Sequence, residues 1–174
     1  MKINTLLSSK FTGIIQLIPQ NGSSLCDLQD QIVKLYPDQQ PVPKLHVTLL
    51  HQLYPKKITS ADGLRGDAAL KTLFRSGEQM AIELPLLILD DVKIGLDLIK
   101  DRRSTYIEIK NSEACIVARN LILQAAGIDP VSLVLEEPEA SRVFHISLTN
   151  LDGFGGASIA YPQAGDKIIK EIVP

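Results

Sequence analysis

Hydrophobic and polar residues alternate most clearly in two short stretches of the chain, residues 44–50 and residues 144–148. Because successive side chains of a strand point to opposite faces, each stretch predicts a strand that carries a histidine and a hydroxyl residue on one face. Aliphatic residues occupy the other face of both strands. The residues that share the polar face are His46 and Thr48 in the first strand, and His145 and Ser147 in the second.

The elements around these two histidine strands follow the same order in each half of the chain. In the first half, an apolar run at 11–18 predicts a strand, and the helical spacing of residues 25–35 predicts a helix capped by Ser24. In the second half, alternation at 105–110 predicts a strand and residues 113–126 predict a helix. Each half therefore has the plan strand, helix, link, histidine strand, which indicates a structural duplication without a residue-level repeat.

Between the halves, the pattern predicts a short amphipathic helix at 67–74 and two apolar runs at 80–90 and 92–99. The acidic pair Asp90-Asp91 predicts a hairpin bend between those two runs. The complete pattern predicts an α+β fold that is mainly antiparallel. Residues 1–174 are expected to form a single domain of two lobes that share one cleft.

Length and composition indicate an ordinary globular chain with room for a hydrophobic core, since 174 residues are 45% hydrophobic and 22% charged. A net charge of −2 lacks the basic field with which a protein coats long DNA or RNA, so no long nucleic acid is expected as a partner. The charge still allows a pocket for a small or short phosphorylated ligand. No apolar run reaches the roughly 18 residues of a membrane span, so no membrane partner is expected either. The oligomeric state stays open.

Cysteine usage and the N-terminal sequence favour a reducing cytoplasm. Cys26 and Cys115 are too few for a disulfide framework or a metal cluster, and both fall in helical patterns. We interpret both as small buried hydrophobic residues. The first seven residues have neither a sustained apolar core nor a clear cleavage site, so no signal peptide is predicted.

Two histidines directed into one cleft can act as a general acid–base pair. Displacement at phosphorus needs a base for the attacking group and an acid for the leaving group, and imidazole can serve as either near neutral pH. Thr48 and Ser147 would then hydrogen-bond the non-bridging phosphate oxygens. This chemistry needs no metal and no other cofactor. The third histidine, His51, is an odd number of residues from His46, so on a regular strand it faces away from the site.

The two motifs resemble those of a known superfamily of enzymes. His46-Val47-Thr48-Leu49 and His145-Ile146-Ser147-Leu148 look like the paired His-x-Thr/Ser-hydrophobic motifs of the 2H phosphoesterase superfamily, with Ser in place of Thr in the second. The resemblance implies a bilobal 2H-phosphoesterase-like fold, in which two pseudo-symmetric, mainly antiparallel sheets line a central cleft and the helices lie outside. It also implies metal-independent cleavage of phosphodiester bonds, with these two histidines and two hydroxyl residues as the catalytic residues.

The chain is similar, more narrowly, to phage-encoded members of that superfamily that degrade the cyclic oligonucleotide signals of CBASS-type bacterial defence. The features that carry this likeness are the compact size, Phe11-Thr12-Gly13 at the first strand, and the continuation of the second motif through residues 145–151. It implies hydrolysis of cyclic oligonucleotide second messengers in the host cytoplasm. Two alternatives stay open. One is an RNA phosphoesterase that acts on 2′,3′-cyclic phosphates or 2′-5′ linkages, and the other is a non-catalytic module that sequesters a cyclic nucleotide.

Aromatic residues and arginines outside the motifs are candidates for substrate binding, because bases stack on aromatic rings and phosphates pair with guanidinium groups. Taken singly, such residues are more often part of the core, the rim or the surface. Arg142 is the arginine to test, since it precedes His145 by three residues. The candidates are Phe11, Tyr54 and Tyr106 for bases, and Arg102, Arg103 and Arg142 for phosphates, of which we predict Phe11, Tyr106 and Arg142 as substrate-binding residues.

Overall fold

A computed structural model of the chain describes residues 1–8, 10–20, 22–51, 65–75, 83–96, 103–137, 139–153 and 162–174. Two residues considered above for substrate binding, Tyr54 and Arg102, lie outside these described residues. All strands and helices named below lie within them.

The described residues form nine β-strands, and every pairing among them is antiparallel. They are β1 (Lys2–Ile3), β2 (Thr5–Leu7), β3 (Ile15–Pro19), β4 (Gln40–Pro41), β5 (Val47–Leu50), β6 (Leu87–Leu96), β7 (Arg103–Ile109), β8 (His145–Asn150) and β9 (Lys167–Ile168). The sheet has the order β1-β6-β7-β8-β5-β3-β2, with β4 beside β8 and β9 beside β6. Together with the helices described next, this confirms the predicted α+β, mainly antiparallel architecture.

Three α-helices and one turn of 3-10 helix accompany the sheet in the described part of the chain. They are α1 (Ser23–Leu35), α2 (Arg65–Arg75), α3 (Ser112–Ala125) and the 3-10 turn (Pro130–Ser132). Both long helices bury an apolar stripe against the sheet, because their hydrophobic residues recur at helical spacing. The stripes consist of Leu25, Leu28 and Ile32 in α1, and of Cys115, Ala118, Ile122 and Leu123 in α3.

One face of the central strands completes this core. The stripes of α1 and α3 belong to the same cluster of buried residues as alternate residues of β5, β7 and β8. Each fully buried aliphatic side chain contributes about 1.5–3 kcal/mol, so this face holds the helices to the sheet. The alternate residues are Val47 and Leu49 in β5, Ile107 and Ile109 in β7, and Ile146 and Leu148 in β8.

The two halves of the chain have the same plan. In each half a pair of consecutive antiparallel strands, β2–β3 or β6–β7, is followed by a helix and then by a histidine strand. The predicted order of strand, helix, link and histidine strand is therefore confirmed. The structure differs from the prediction of two separate sheets, because β5 and β8 pair with each other and join the halves into one sheet.

Two local signals in the sequence led to wrong predictions. Ser24 does not cap α1, since the helix begins at Ser23, its N-cap is Gly22, and no side chain caps it. The Asp90-Asp91 pair does not form a hairpin bend but lies inside β6, where the pairing with β7 shifts register between Leu89 and Val92. The residues on both sides of the acidic pair keep the same partner strand, so the irregularity is a bulge.

The two cysteines differ in environment. Cys115 is buried in α3, as predicted, and burial raises the pKa of its thiol to about 12. Cys26 is exposed on α1, so its interpretation as a buried residue was wrong. It follows the buried Leu25 by one position, and adjacent residues of a helix point in different directions.

Candidate active site

The pairing of β5 with β8 places the two predicted motifs side by side. Val47 is directly opposite Ile146. In an antiparallel pair, the residue before one partner faces the residue after the other, so this register sets Thr48 opposite His145 and directs His46, the residue directly before β5, toward Ser147. Opposed residues have Cβ atoms about 4.5–5.5 Å apart, and diagonal neighbours such as the two histidines are roughly 7–8 Å apart. The structure therefore brings all four residues of the motifs together.

Neighbouring strands extend this patch with further polar residues. Gln16 of β3 pairs with Thr48, while Glu108 and Tyr106 of β7 pair with His145 and Ser147. Side chains of paired residues share a face, and this face is opposite to the one that packs on the helices. We call it the histidine face, defined by Gln16, Thr48, Tyr106, Glu108, His145 and Ser147, with His46 at its edge.

The two histidines are oriented by the same local hydrogen bond. His46 Nδ1 lies 2.9 Å from the carbonyl oxygen of Lys44, and His145 Nδ1 lies 3.0 Å from that of Val143. Because a carbonyl oxygen only accepts, each Nδ1 carries the hydrogen that makes this bond. When the imidazole is neutral, its lone pair is then on Nε2. Both rings thus present the same nitrogen for proton transfer.

A bulge before β5 explains how a carbonyl comes to face the His46 ring. Val42 donates its amide hydrogen to the carbonyl of Leu148 at 2.9 Å, whereas the next recorded pair along the strands is Val47 with Ile146. Residues 43–45 therefore have no counterparts in β8, and Pro43 has no amide hydrogen with which to bond the neighbouring strand. The carbonyl of Lys44 lies in this bulge.

His145 is the more enclosed of the two histidines, with 9% of its surface exposed. The ring of Tyr106 contacts it edge-on, with centroids 5.5 Å apart and planes at 72°. The Tyr106 hydroxyl donates to Asp166 Oδ2 at 2.8 Å, and burial together with this bond raises the pKa of Tyr106 far above its ordinary value. Tyr106 is fully buried, so it offers no open ring face to a base and instead packs against His145.

The other two predicted substrate-binding residues also make internal contacts. Phe11 packs on Phe74 of α2, with ring centroids 5.3 Å apart. Arg142 forms an ion pair with Glu139, and the two side chains are only 5% and 2% exposed. Neither residue lies on the strands of the histidine face. The structure therefore places the four motif residues in one patch and leaves Phe11 and Arg142 outside it.

The ion pair of Arg142 belongs to a cluster of charged groups that includes His51. Burial and the nearby Arg142 lower the pKa of His51, and Glu139 opposes this shift. Burial also lowers the pKa of Arg119 on α3, again opposed by Glu139. His51 Nδ1 and Arg119 Nε are buried without a hydrogen-bond partner among the described residues. His51 is thus engaged in this cluster and not on the histidine face.

Two acidic residues near the histidines were not identified from the sequence. Glu108 pairs with His145 across the sheet and forms an ion pair with Lys93 at 2.8 Å. The alternation at 105–110 could have revealed it, because Glu108 shares a face with Tyr106. Asp166, by contrast, lies in a turn near the C-terminus, where no periodic pattern indicates its contact with Tyr106.

Metal ligands do not converge in the part of the chain that the structure describes, where no three His, Cys, Asp or Glu side chains are grouped suitably. Among the same residues, no helix is long and apolar enough to cross a membrane. Comparisons of the chain with protein families, with curated proteins and with solved structures found no match.

Proposed function

We propose that the chain is a metal-independent phosphodiesterase in which His46 and His145 act as general base and general acid. The observation that carries the proposal is the pairing of Val47 with Ile146, each of which directly follows one of the two histidines. By this register the histidines are diagonal neighbours, each with a hydroxyl residue opposite it. The matching Nδ1 hydrogen bonds add to it, because they make Nε2 the nitrogen that can take up a proton in both neutral rings. Two structural histidines would have no need of this matched arrangement.

In the proposed reaction, one neutral Nε2 accepts the proton of the attacking group, which is water or a ribose 2′-hydroxyl. The new oxygen–phosphorus bond forms as the opposite one breaks, and the protonated Nε2 of the second histidine gives its proton to the leaving oxygen. Thr48 and Ser147 donate hydrogen bonds to the non-bridging oxygens, where negative charge grows. Exchange of protons with solvent returns both histidines to their starting states.

The substrate class that we propose is a cyclic oligonucleotide second messenger, degraded in the host cytoplasm as a phage counter-defence against CBASS-type signalling. The resemblance of the two motifs to the 2H phosphoesterase superfamily supports this proposal, and so do the two pseudo-symmetric halves. An RNA phosphoesterase for 2′,3′-cyclic phosphates or 2′-5′ linkages would use the same four residues. A non-catalytic module that sequesters a cyclic nucleotide would use the same face without the proton transfers.

The experiment that tests this proposal is incubation in EDTA with cyclic di- and trinucleotides, 2′,3′-cyclic mononucleotides and 2′-5′ oligoadenylate, with products read by mass spectrometry. His46→Asn and His145→Asn should each abolish cleavage, and circular dichroism should show an unchanged fold. His51→Gln is the matched control, because it removes the remaining histidine and should leave cleavage intact. Running the reaction in ¹⁸O-water distinguishes attack by water from attack by a 2′-hydroxyl.

Retained turnover in either His46→Asn or His145→Asn would rule the mechanism out. Ligand that stays bound and is recovered whole after denaturation would instead support the sequestering module. Cleavage of only the 2′,3′-cyclic or 2′-5′ substrates would keep the mechanism and move the substrate class to RNA.

A further inference from the structure

A surface depression of about 880 Å³ adjoins His46. It is formed by the bulge before β5, by the N-terminal loop that leads into β3, and by the start of α1. Its volume is near the upper end of the range for small-molecule sites, so it has room for more than a single phosphate group. Because His46 lines it, a ligand seated there would lie beside one of the two proposed proton-transfer groups.

Among the described residues that line the depression, the charged side chains are of one sign. Two exposed lysines, Lys10 and Lys44, line it, and no aspartate or glutamate is among the described residues that do. The chain as a whole has more acidic than basic residues, 20 against 18, so this lining differs from the average surface. A cleft lined by one sign of charge attracts ligands of the opposite sign. The depression therefore favours an anion.

The remaining lining suits the other parts of a nucleotide. Ile18 and Leu45 are half-buried and provide apolar surface, while Gln16 provides an amide that can donate and accept hydrogen bonds. Lys44 has two roles in this arrangement, since its carbonyl accepts the His46 Nδ1 hydrogen and its side chain lines the depression. Only Leu45 separates Lys44 from His46, so the Cα atoms of these two residues are at most about 7 Å apart.

The geometry points to a subsite for a second phosphate: Lys10 and Lys44 bind the phosphate next to the scissile one, and Ile18 and Leu45 contact the intervening nucleoside. This inference rests on the proposed function and narrows its substrate class. A substrate with at least two phosphates, such as a cyclic oligonucleotide, uses both the histidine face and the depression. A 2′,3′-cyclic mononucleotide has one phosphate and uses only the histidine face.

Binding tests the subsite without requiring turnover. The probe is the linear dinucleotide pApA, titrated calorimetrically in EDTA against His145→Asn protein, with adenosine as the uncharged comparison. Lys10→Gln and Lys44→Gln should each weaken pApA binding by about three- to tenfold, because each removes one ammonium–phosphate contact. The double variant should also show a smaller dependence on salt concentration. Lys34→Gln, an exposed lysine of α1 outside the depression, is the matched control and should bind like the parent.

Kinetics separate a failure of the subsite from a failure of the proposed function. If the subsite and the proposed function both hold, Lys10→Gln raises KM for a cyclic dinucleotide, keeps kcat, and leaves 2′,3′-cyclic AMP unaffected. Unchanged pApA binding in the double variant, or pApA binding no tighter than adenosine, would overturn the subsite, whatever the turnover. Lysine-dependent binding without cleavage of any substrate would keep the subsite and overturn the enzyme.

Discussion

Val47 and Ile146 face each other across β5 and β8, and each directly follows a histidine in the sequence. Beyond β5 lie β3 and β2, and beyond β8 lie β7 and β6, so the strand order mirrors itself about this pair. Exchanging β5 with β8 in this order also exchanges the two histidines and the two hydroxyl residues. Both aliphatic side chains are fully buried, so core packing fixes the register that brings the motifs together.

The hydroxyl groups opposite the histidines should matter for turnover. Thr48→Val and Ser147→Ala each remove a proposed donor to the charge that develops on the phosphate oxygens, so we expect kcat to fall by about 10²-fold in each. Thr48→Ser and Ser147→Thr keep the hydroxyl and should retain most activity. Rates on a cyclic dinucleotide, read by mass spectrometry, test this. An unchanged kcat in both hydroxyl-free variants would contradict the role of these residues.

Gln29 ties α1 to the strands that carry the motifs. Its side chain is 5% exposed and donates to the carbonyls of Val42 at 2.9 Å and of Leu148 at 2.7 Å. Gln29→Leu removes the side-chain amide that donates to both buried carbonyls. We therefore expect the free energy of unfolding, measured with urea, to fall by about 2–3 kcal/mol. Gln31→Leu, at an exposed site on the same helix, should change it by less than about 0.5 kcal/mol. Equal effects would show that the two bonds add nothing.

Gln29 also shows where prediction from sequence stops. Helical spacing places it beside the apolar stripe of α1, but its two acceptors are 13 and 119 residues away in the chain. Whether a polar side chain on such a stripe finds hydrogen-bond partners depends on backbone groups that are distant in the sequence. No local pattern encodes those groups. The contact of Asp166 with Tyr106 has the same character, because it spans 60 residues from a turn to a strand.

The histidine face could be predicted from the sequence more readily than the long-range contacts of Gln29 and Asp166. The period of two in each motif is local, and for the second motif it correctly predicted that His145 and Ser147 share one face of a strand, since both pair with alternate residues of β7. His46 of the first motif lies directly before β5. The repeated order of elements then indicated that the two strands come together. Local signals failed where tertiary pairing overrode them, as at Asp90-Asp91, where continued pairing with β7 turned an expected bend into a bulge.

The bond between Tyr106 and Asp166 should stabilise the surroundings of His145. Tyr106→Phe keeps the ring that contacts His145 but removes the hydroxyl that donates to Asp166, so we expect unfolding to become easier by about 1–2 kcal/mol. Tyr36→Phe is the matched control, since no hydrogen bond of its hydroxyl is recorded among the described residues, and it should change stability by less than about 0.5 kcal/mol.

Gly95 gives an independent test of the same bond. A Cβ at this position would lie 2.5 Å from the Asp166 carboxylate, so Gly95→Ala should displace that carboxylate from Tyr106. The loss in the free energy of unfolding should therefore resemble that of Tyr106→Phe. The double variant Gly95→Ala/Tyr106→Phe should lose less than the sum of the two single losses. Strict additivity in this cycle would show that Gly95 and the bond act separately.

Replacing only one partner of the ion pair between Glu139 and Arg142 should destabilise the fold. Both side chains are almost fully buried, so Glu139→Gln removes the buried charge that pairs with Arg142, and we expect a loss of about 3–5 kcal/mol in the free energy of unfolding. The double variant Glu139→Leu/Arg142→Met replaces both charges with apolar groups and should lose much less. Lys71→Ala breaks the more exposed pair with Asp67 on α2 and should cost under about 1 kcal/mol. A Glu139→Gln loss no larger than that of Lys71→Ala would contradict the prediction.

His51 should make the fold less stable in mild acid. Burial first, and then Arg142, lower its pKa in the folded chain from the ordinary 6.5, while Glu139 opposes the shift. Above pH 6.5 the His51 imidazole is neutral in both the folded and the unfolded chain, so its protonation does not change the free energy of unfolding. As the pH falls through 6.5 the unfolded chain takes up the proton first, so the free energy of unfolding decreases until the pH passes below the folded pKa.

Urea unfolding of the native chain and of His51→Gln between about pH 7.5 and about pH 5.5 isolates this contribution, because the carboxylates titrate alike in both. The native chain should lose more stability than His51→Gln over this interval, and parallel curves would show that His51 titrates identically in the folded and unfolded states.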